Sequence, residues 1–295
     1  MLFPAAIIGA GALVLIPVSP ALIFGLGPFP QLGIAGGAAA VVLYYSIGCA
    51  IFAGYIWSGR GVLRPPLIPS KFVWVPMRDI LRVGAASSVV SLSTNISIAA
   101  ATGLAGLVGS AAVAGYGTGV RLEYLLVPLV FGLGTPVAAL VGTSIGAGRR
   151  DRALQVAWTG AAIAGGLTEA IGVVAAFFPA AWLSLFGSDP NMIEVGTSYL
   201  RIVGPSYGFF GGGLALYFAS QGAGRVGWAM IVAVLRVLIG AGGGWIAVSV
   251  LGGSSGLFFA LAAALVVYGL GNVAAVAGGA WFRTGKEQPL KGDLH

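Results

Sequence analysis

Charge is what this chain lacks most. Only 8% of its 295 residues are Asp, Glu, Lys or Arg, and 58% are hydrophobic, whereas a soluble domain carries about a quarter charged residues. So little polar surface cannot cover a water-soluble globule, and the mean hydropathy of +0.99 places the chain in lipid. Cysteine and histidine are almost absent. The single cysteine, Cys49, lies inside an apolar run and has no partner for an internal disulfide, and the single histidine, His295, is the last residue. These two supply neither a zinc-type ligand set nor a histidine-based triad, so no metal site, cofactor or enzymatic activity is expected. Period-two alternation is missing as well. Backbone that crosses hydrocarbon must be helical or a closed barrel, and apolar runs beyond 20 residues without alternation point to helices. The expected fold class is an all-α integral membrane protein.

What is present is a series of eight apolar segments, at roughly 2–24, 32–57, 80–109, 115–146, 154–182, 196–219, 226–250 and 256–282. The first has no basic residues ahead of it and a second span follows closely, so it reads as a spanning helix and not a signal peptide. The formal net charge of +7 does not imply nucleic acid, because the basic residues sit in short connections between apolar runs. Arg60, Arg64, Lys71, Arg78 and Arg82 surround the second connection. Arg149, Arg150 and Arg152 lie in the fourth, Arg225 in the sixth, and Arg283, Lys286 and Lys291 in the tail. Twelve of the 15 basic residues therefore fall on one side. The positive-inside rule makes that side cytoplasmic and puts both termini there. The expected location is the plasma (inner) membrane.

The connection containing RPPLIPSKFVWVP (64–76) is the longest and is rich in proline, which cannot continue a helix interior. It reads as a linker at 58–79, dividing residues 1–57, with two helices, from 80–282, with six; a tail covers 283–295. A shift that lays Gly33 on Gly256 also lays Tyr45 on Tyr268, Gly48 on Gly271 and Val14-Leu15-Ile16 on Val237-Leu238-Ile239. This fits an internal repeat in which the first two helices are the end of a six-helix half. On that reading about 145 residues, four helices with their loops, would precede Met1.

The stretch PLVFGLGTPVAALVGTSIGAGRRDRA (128–153) resembles the eighth helix of the MATE (multidrug and toxic compound extrusion) transporters and the loop after it. LFGSDP (185–190), YLRIVGPSYG (199–208) and QGAGR (221–225) are similar to later signatures of that family, and SPALIFG…LGIAGGAAAVV (19–42) resembles its fifth and sixth helices. The resemblance implies helices five to twelve of a twelve-helix, two-lobe antiporter. Such an antiporter exports organic compounds in exchange for H+ or Na+, with a small-molecule substrate and the bilayer as its partners, and acts as a monomer. It also implies departures. Ser19 stands where the family often has an aspartate, Leu15 where many members have an asparagine, and Val41 near a common threonine. Thr94 and Phe210 fall where one branch carries a glutamate and an aspartate. Neither familiar ion site carries over.

Charges inside the spans are few: Arg121, Glu123, Glu169, Arg201 and Arg236. Each costs a few kcal/mol or more at mid-bilayer, so such groups usually face a bundle interior or a watery cavity. Glu123 lies roughly 12 Å along its helix from the outer end. Arg121 and Glu123 are two residues apart and point to nearly opposite sides, so each is expected to pair elsewhere, with charges on the eighth, ninth and tenth helices of the family numbering. Two readings of Glu123 stay open: a protonatable or cation-attracting carboxylate, and a permanently ionised Glu–Arg network that holds the lobe together. Glu169 is a second carboxylate, expected at a lipid edge or in an ion pair. Arg201 is expected to snorkel or pair near the outer interface. Arg236 is expected to meet a helix C-terminus or the central cavity.

Ser87, Ser91 and Asn95 form a polar stripe at i, i+4 and i+8, suited to interhelical bonding or to lining a pathway. Tyr268 and Asn272 make a smaller stripe on the last helix, and Gln221 is assigned to a cytoplasmic turn. Pro128 and Pro136 should bend the eighth helix, and Pro205 the tenth. Asp189 before Pro190 reads as a helix N-cap, and Asp151 as part of a helix start. The expected function is drug export. A lipid-linked sugar flippase of related fold, favoured by Arg121 and Arg236, and a non-transporting scaffold or inactive fragment are the alternatives.

Overall fold

The structure, a computed structural model, describes residues 2–59 and 74–281. Most of the expected linker and the whole tail after residue 282 lie outside the described residues. The chain divides into two compact units, one on each side of residues 73 and 74.

The first unit is a hairpin of α1 (Leu2–Phe24) and α2 (Ile34–Trp57). The turn is tied by the Leu32 N–H to the Leu22 carbonyl (3.0 Å) and by the Gly33 N–H to the Ile23 carbonyl (3.2 Å). Phe3 stacks on Tyr55 at the open end, with ring centroids 4.0 Å apart. Most of the hairpin's large apolar side chains are exposed, as suits helices whose surroundings are lipid-like and not water.

The second unit contains α3 (Trp74–Val108), α4 (Ser110–Gly146), α5 (Arg150–Phe177), α6 (Pro179–Leu183), α7 (Pro190–Val203), α8 (Tyr207–Gly222), α9 (Gly227–Val237), α10 (Gly244–Leu251) and α11 (Ser255–Ala277). Its first helix starts at Trp74, six residues earlier than the sequence suggested. Only Gly109 separates α3 from α4. Its φ of 146° lies where side chains are strained and glycine is not.

Among the described residues, seven helices are long and apolar enough to cross a membrane. The sequence suggested eight. The 196–219 segment is not among the seven because it is no single long helix: it runs as two rods, α7 and α8, joined by a 3-10 turn over Gly204–Ser206. Pro205 sits in this turn and has no N–H to continue the ladder. By contrast, Pro128 and Pro136 lie within α4, which is helical throughout its 37 residues. A π-helical turn, Leu238–Gly243, joins α9 to α10.

The core is built around α8, which packs against α5, α4 and α11. Tyr199, Tyr207, Phe258, Leu126, Leu200 and Leu216 are fully buried there. One end of the unit gathers the basic turns. Gly142 of α4 meets the Gly222 carbonyl of α8, so the α4–α5 turn with Arg149 lies beside the end of α8, close to Arg225. Gln221 of α8 donates to Ser87 of α3 (3.0 Å), which brings the Arg78–Arg82 end of α3 to the same place. Asp189 accepts the Asn191 N–H (2.9 Å) and caps α7, with Pro190 at its first position. Asp151 lies in the first turn of α5.

Candidate functional site

The site is built on α4. The sequence GVRLE places Gly119 and Glu123 one turn apart on the same face. A Cβ at Gly119 would collide with the ring of Tyr199. Its absence lets Tyr199, from α7, lie flat across α4 and donate its hydroxyl to Glu123 Oε2 (3.3 Å). The other carboxylate oxygen, Oε1, receives Nη2 of Arg236 from α9 at 3.2 Å. Side-chain exposure is 15% for Glu123 and 10% for Arg236, so the pair lies largely out of solvent. With α4 starting at Ser110, Glu123 stands about 20 Å along its helix, deeper than the sequence count gave.

Arg236 is held by more than its carboxylate. Its guanidinium carbon lies 5.2 Å from the Phe210 ring centre and 5.4 Å from that of Tyr268, both within cation–π range. Phe210 occupies the place where the resemblance puts an aspartate in one branch. The charge in this lobe therefore sits on other helices, and the tenth-helix position contributes an aromatic face. Tyr116 and Tyr199 meet edge to face at 5.5 Å, and Tyr199 meets Phe258 at 5.3 Å. Tyr207 is fully buried, with its hydroxyl facing that of Tyr199. A cavity of about 30 Å³ opens among these groups, lined by Ser97, Tyr116, Glu123, Tyr199, Arg236 and Gly240 with apolar neighbours. That is room for a water or a bare monovalent ion, and far below the 300 Å³ or more of a typical organic-ligand pocket.

The other expected residues are placed differently. The partner of Glu123 comes from α9, not from the helices expected, because the pair is joined across 113 positions of sequence. Arg236, in the last turn of α9, meets this carboxylate and lines the cavity beside it. Arg121 is exposed and lies over Phe186 at 4.9 Å. It does not join Arg236, so the two arginines do not assemble a basic surface. Glu169 is half-buried and, among the described residues, makes no ion pair. Its Oε2 accepts the Gly208 N–H (2.7 Å), while the neighbouring Thr168 hydroxyl donates to the Tyr207 carbonyl (3.0 Å). Together they satisfy backbone groups at the start of α8, just after the break at Pro205. Arg201 is exposed beside Val173, Phe177 and Pro205.

Within the polar stripe of α3, Ser91 and Asn95 are exposed and Asn95 bonds back to the Ser91 carbonyl (2.9 Å). Only Ser87 makes a bond to another helix. The inward face carries Ser93 and Ser97 instead, and Ser97 reaches the cavity. Helical spacing alone identified a stripe but not its phase relative to the core. Gln221 is not a turn residue: it lies on α8 and donates to Ser87 and to the Tyr217 hydroxyl (2.8 Å). Tyr268 and Asn272 are both buried, and Asn272 donates to the Tyr268 carbonyl (2.9 Å). Sequence reasoning missed Tyr199 and Gly119. The i, i+4 spacing of Gly119 and Glu123 was the available signal for the glycine; nothing local pointed to the tyrosine.

Comparison with known proteins follows the same lobe. "Probable multidrug resistance protein NorM" of Thermotoga maritima is 27% identical over 218 residues, which are 74% of this chain and 47% of that protein. "FAD transporter" of Shewanella oneidensis is 24% identical over 74% of this chain and 48% of that protein. The chain thus spans about half the length of the curated relatives it matches. Among solved structures, the MATE transporter VcmN of Vibrio cholerae superposes with a TM-score of 0.83 at 20% identity, covering 96% of this chain and 64% of that one. A MOP superfamily transporter from Pyrococcus furiosus gives 0.81 at 22% identity, over 93% and 62%. At such identities these likenesses establish the fold. The MatE family model matches residues 86–246, and members of that family are transporters and not enzymes. The matched region is more than half of the chain and contains the buried ion pair, so this multi-pass membrane protein belongs to the MatE family.

Proposed function

We propose that the protein is a secondary antiporter that exports amphipathic organic compounds in exchange for an inward-moving H+ or Na+. Glu123 is the carboxylate through which the ion acts. The observation that carries this reading is the Glu123–Arg236 pair beside a cavity of about 30 Å³. Two ionised groups inside hydrocarbon-length helices are costly, and a well-packed apolar pair of similar volume would be at least as stable. Their retention at a cavity of ion size supports a working role. The organic substrate needs more space than this cavity has, so ion and substrate act at different places and stabilise different states of the same protein.

The basic end of the second unit is the cytoplasmic end, by the positive-inside rule. Both termini then face the cytoplasm, in the inner membrane, and the transporter works as a monomer. A lipid-linked sugar flippase would need converging basic groups for its phosphates. Arg236 is committed to Glu123 and Arg121 lies exposed on Phe186, which weighs against that alternative.

The test is export of ethidium from a host stripped of its own efflux pumps. The protein should lower ethidium accumulation, with export abolished by collapse of the ion gradients. Glu123→Gln, expressed at the same level, should lose gradient-driven export. Unimpaired coupled export by Glu123→Gln would remove the carboxylate from the mechanism.

A further inference from the structure

We infer that Arg236 is a tethered counter-cation: it holds the place at Glu123 that a sodium ion would take, so the ion that exchanges there is a proton. The inference deepens the reading of Glu123 as the coupling carboxylate and rests on it for its place in a transport cycle.

Three observations support it. The first is the charge balance. The titratable and charged groups facing Glu123 are Arg236 from α9, Tyr199 from α7, Tyr207 from α8, and Tyr116 and Tyr124 from its own helix. From α3 the cavity receives Ser97, and from α11 the apolar Leu261, Ala264 and Leu265. Phenols are neutral at ordinary pH, and a guanidinium stays charged under all physiological conditions. Arg236 therefore cancels the carboxylate. A sodium ion entering the same cavity would meet an already neutral pair and the like charge of Arg236 in the cavity wall.

The second observation is space. A cavity of about 30 Å³ does not hold a hydrated cation. A bare hard cation needs a shell of several oxygen ligands, and two of the carboxylate's four lone-pair positions are already engaged by Nη2 and by the Tyr199 hydroxyl. A proton needs no shell. It is taken from water onto one Glu123 oxygen, which neutralises the carboxylate while Arg236 keeps its own proton. Return of the proton to water restores the pair.

The third observation is that Arg236 has somewhere to stay when the pair is broken. The Phe210 and Tyr268 rings, whose centres are 6.4 Å apart, both lie within cation–π range of the guanidinium. The glycine-bearing π-turn begins two residues later, at Leu238, and such turns give a helix a place to deform. The arginine can thus release Glu123 without being left bare in hydrocarbon.

The experiment is equilibrium binding of radioactive sodium to the purified protein in lipid nanodiscs, in mildly alkaline buffer with choline as the balancing cation. Wild type and Glu123→Gln should give the same background. Arg236→Gln should gain saturable sodium binding at least about tenfold above wild type, and Glu123→Gln/Arg236→Gln should lose it again. Arg236→Lys, which restores the positive charge, should stay blind to sodium. Sodium binding by wild type that disappears in Glu123→Gln overturns the inference, and this comparison stands even if Arg236→Gln does not fold. Failure of a folded Arg236→Gln to gain binding overturns it as well. Because the readout is ion binding and not export, the coupling role of Glu123 can fail while this assignment holds, and the reverse.

Discussion

Two carboxylates are sunk in the same lobe, and they are satisfied in unlike ways. Glu123 meets a guanidinium and a phenol, both contributed by side chains. Glu169 meets a fixed backbone N–H, that of Gly208, at the restart of a broken helix. The first arrangement can be undone by moving one arginine. The second can be undone only by rebuilding the α7–α8 junction, where Gly204 packs against the Gly172 carbonyl at 2.7 Å from where its Cβ would be. Both are carboxylates on helices of one lobe. What separates a switchable group from a structural one is whether its partner is free to leave.

The comparison can be broken first at the ion pair, where the largest effect is expected. Arg236→Ala leaves Glu123 buried without its cation and should cost about 3–5 kcal/mol, seen as a large fall in the thermal unfolding midpoint of the solubilised protein. Glu123→Met/Arg236→Met should recover most of that loss, because an apolar pair of similar volume removes both charges together. A double variant as unstable as the single one would show that the site is held by something other than charge.

Tyr199→Phe removes a hydrogen bond to an ionised group and should cost about 1.5–3 kcal/mol. Its ring still fills the space over Gly119, so the same thermal measurement should show a smaller shift than Arg236→Ala. Glu169→Ala removes a cap and should cost about 0.5–2 kcal/mol. It should also speed hydrogen exchange at Gly208 and its neighbours while leaving export intact. Loss of export in Glu169→Ala without loss of fold would make the two carboxylates functional equals and end the distinction. Ser91→Ala and Asn95→Ala, both at exposed positions, should lie within about 0.5 kcal/mol of wild type.

Much of this was legible in the residues, and the gaps have physical causes. The all-helical membrane fold follows from runs of apolar residues without alternation. That Glu123 meets an opposite charge inside the lobe follows from the cost of leaving a lone charge in an apolar span. The opposed directions of Arg121 and Glu123 follow from two-residue spacing on a helix. The partner of Glu123 was not legible, because Arg236 is distant in sequence and only packing brings α9 to α4. The role of Glu169 was hidden because its partner is a main-chain N–H, exposed by a proline 36 residues further along the chain. The serine-rich face of α3 was legible as polar but not as to direction, since Ser91 and Ser93 differ only in which neighbour each meets.

Gly109 has a mechanical consequence. It leaves α3 and α4 tied by a single residue, with no slack to take up sliding of one rod along the other. On this account the two shift along their axes together, carrying Ser97 and Glu123 with them. Widening the cavity then falls to the opposite wall, where the six-residue π-turn after α9 is the compliant joint. A crosslink that stiffens that turn should jam the machine, whereas one that staples α3 to α4 should go unnoticed.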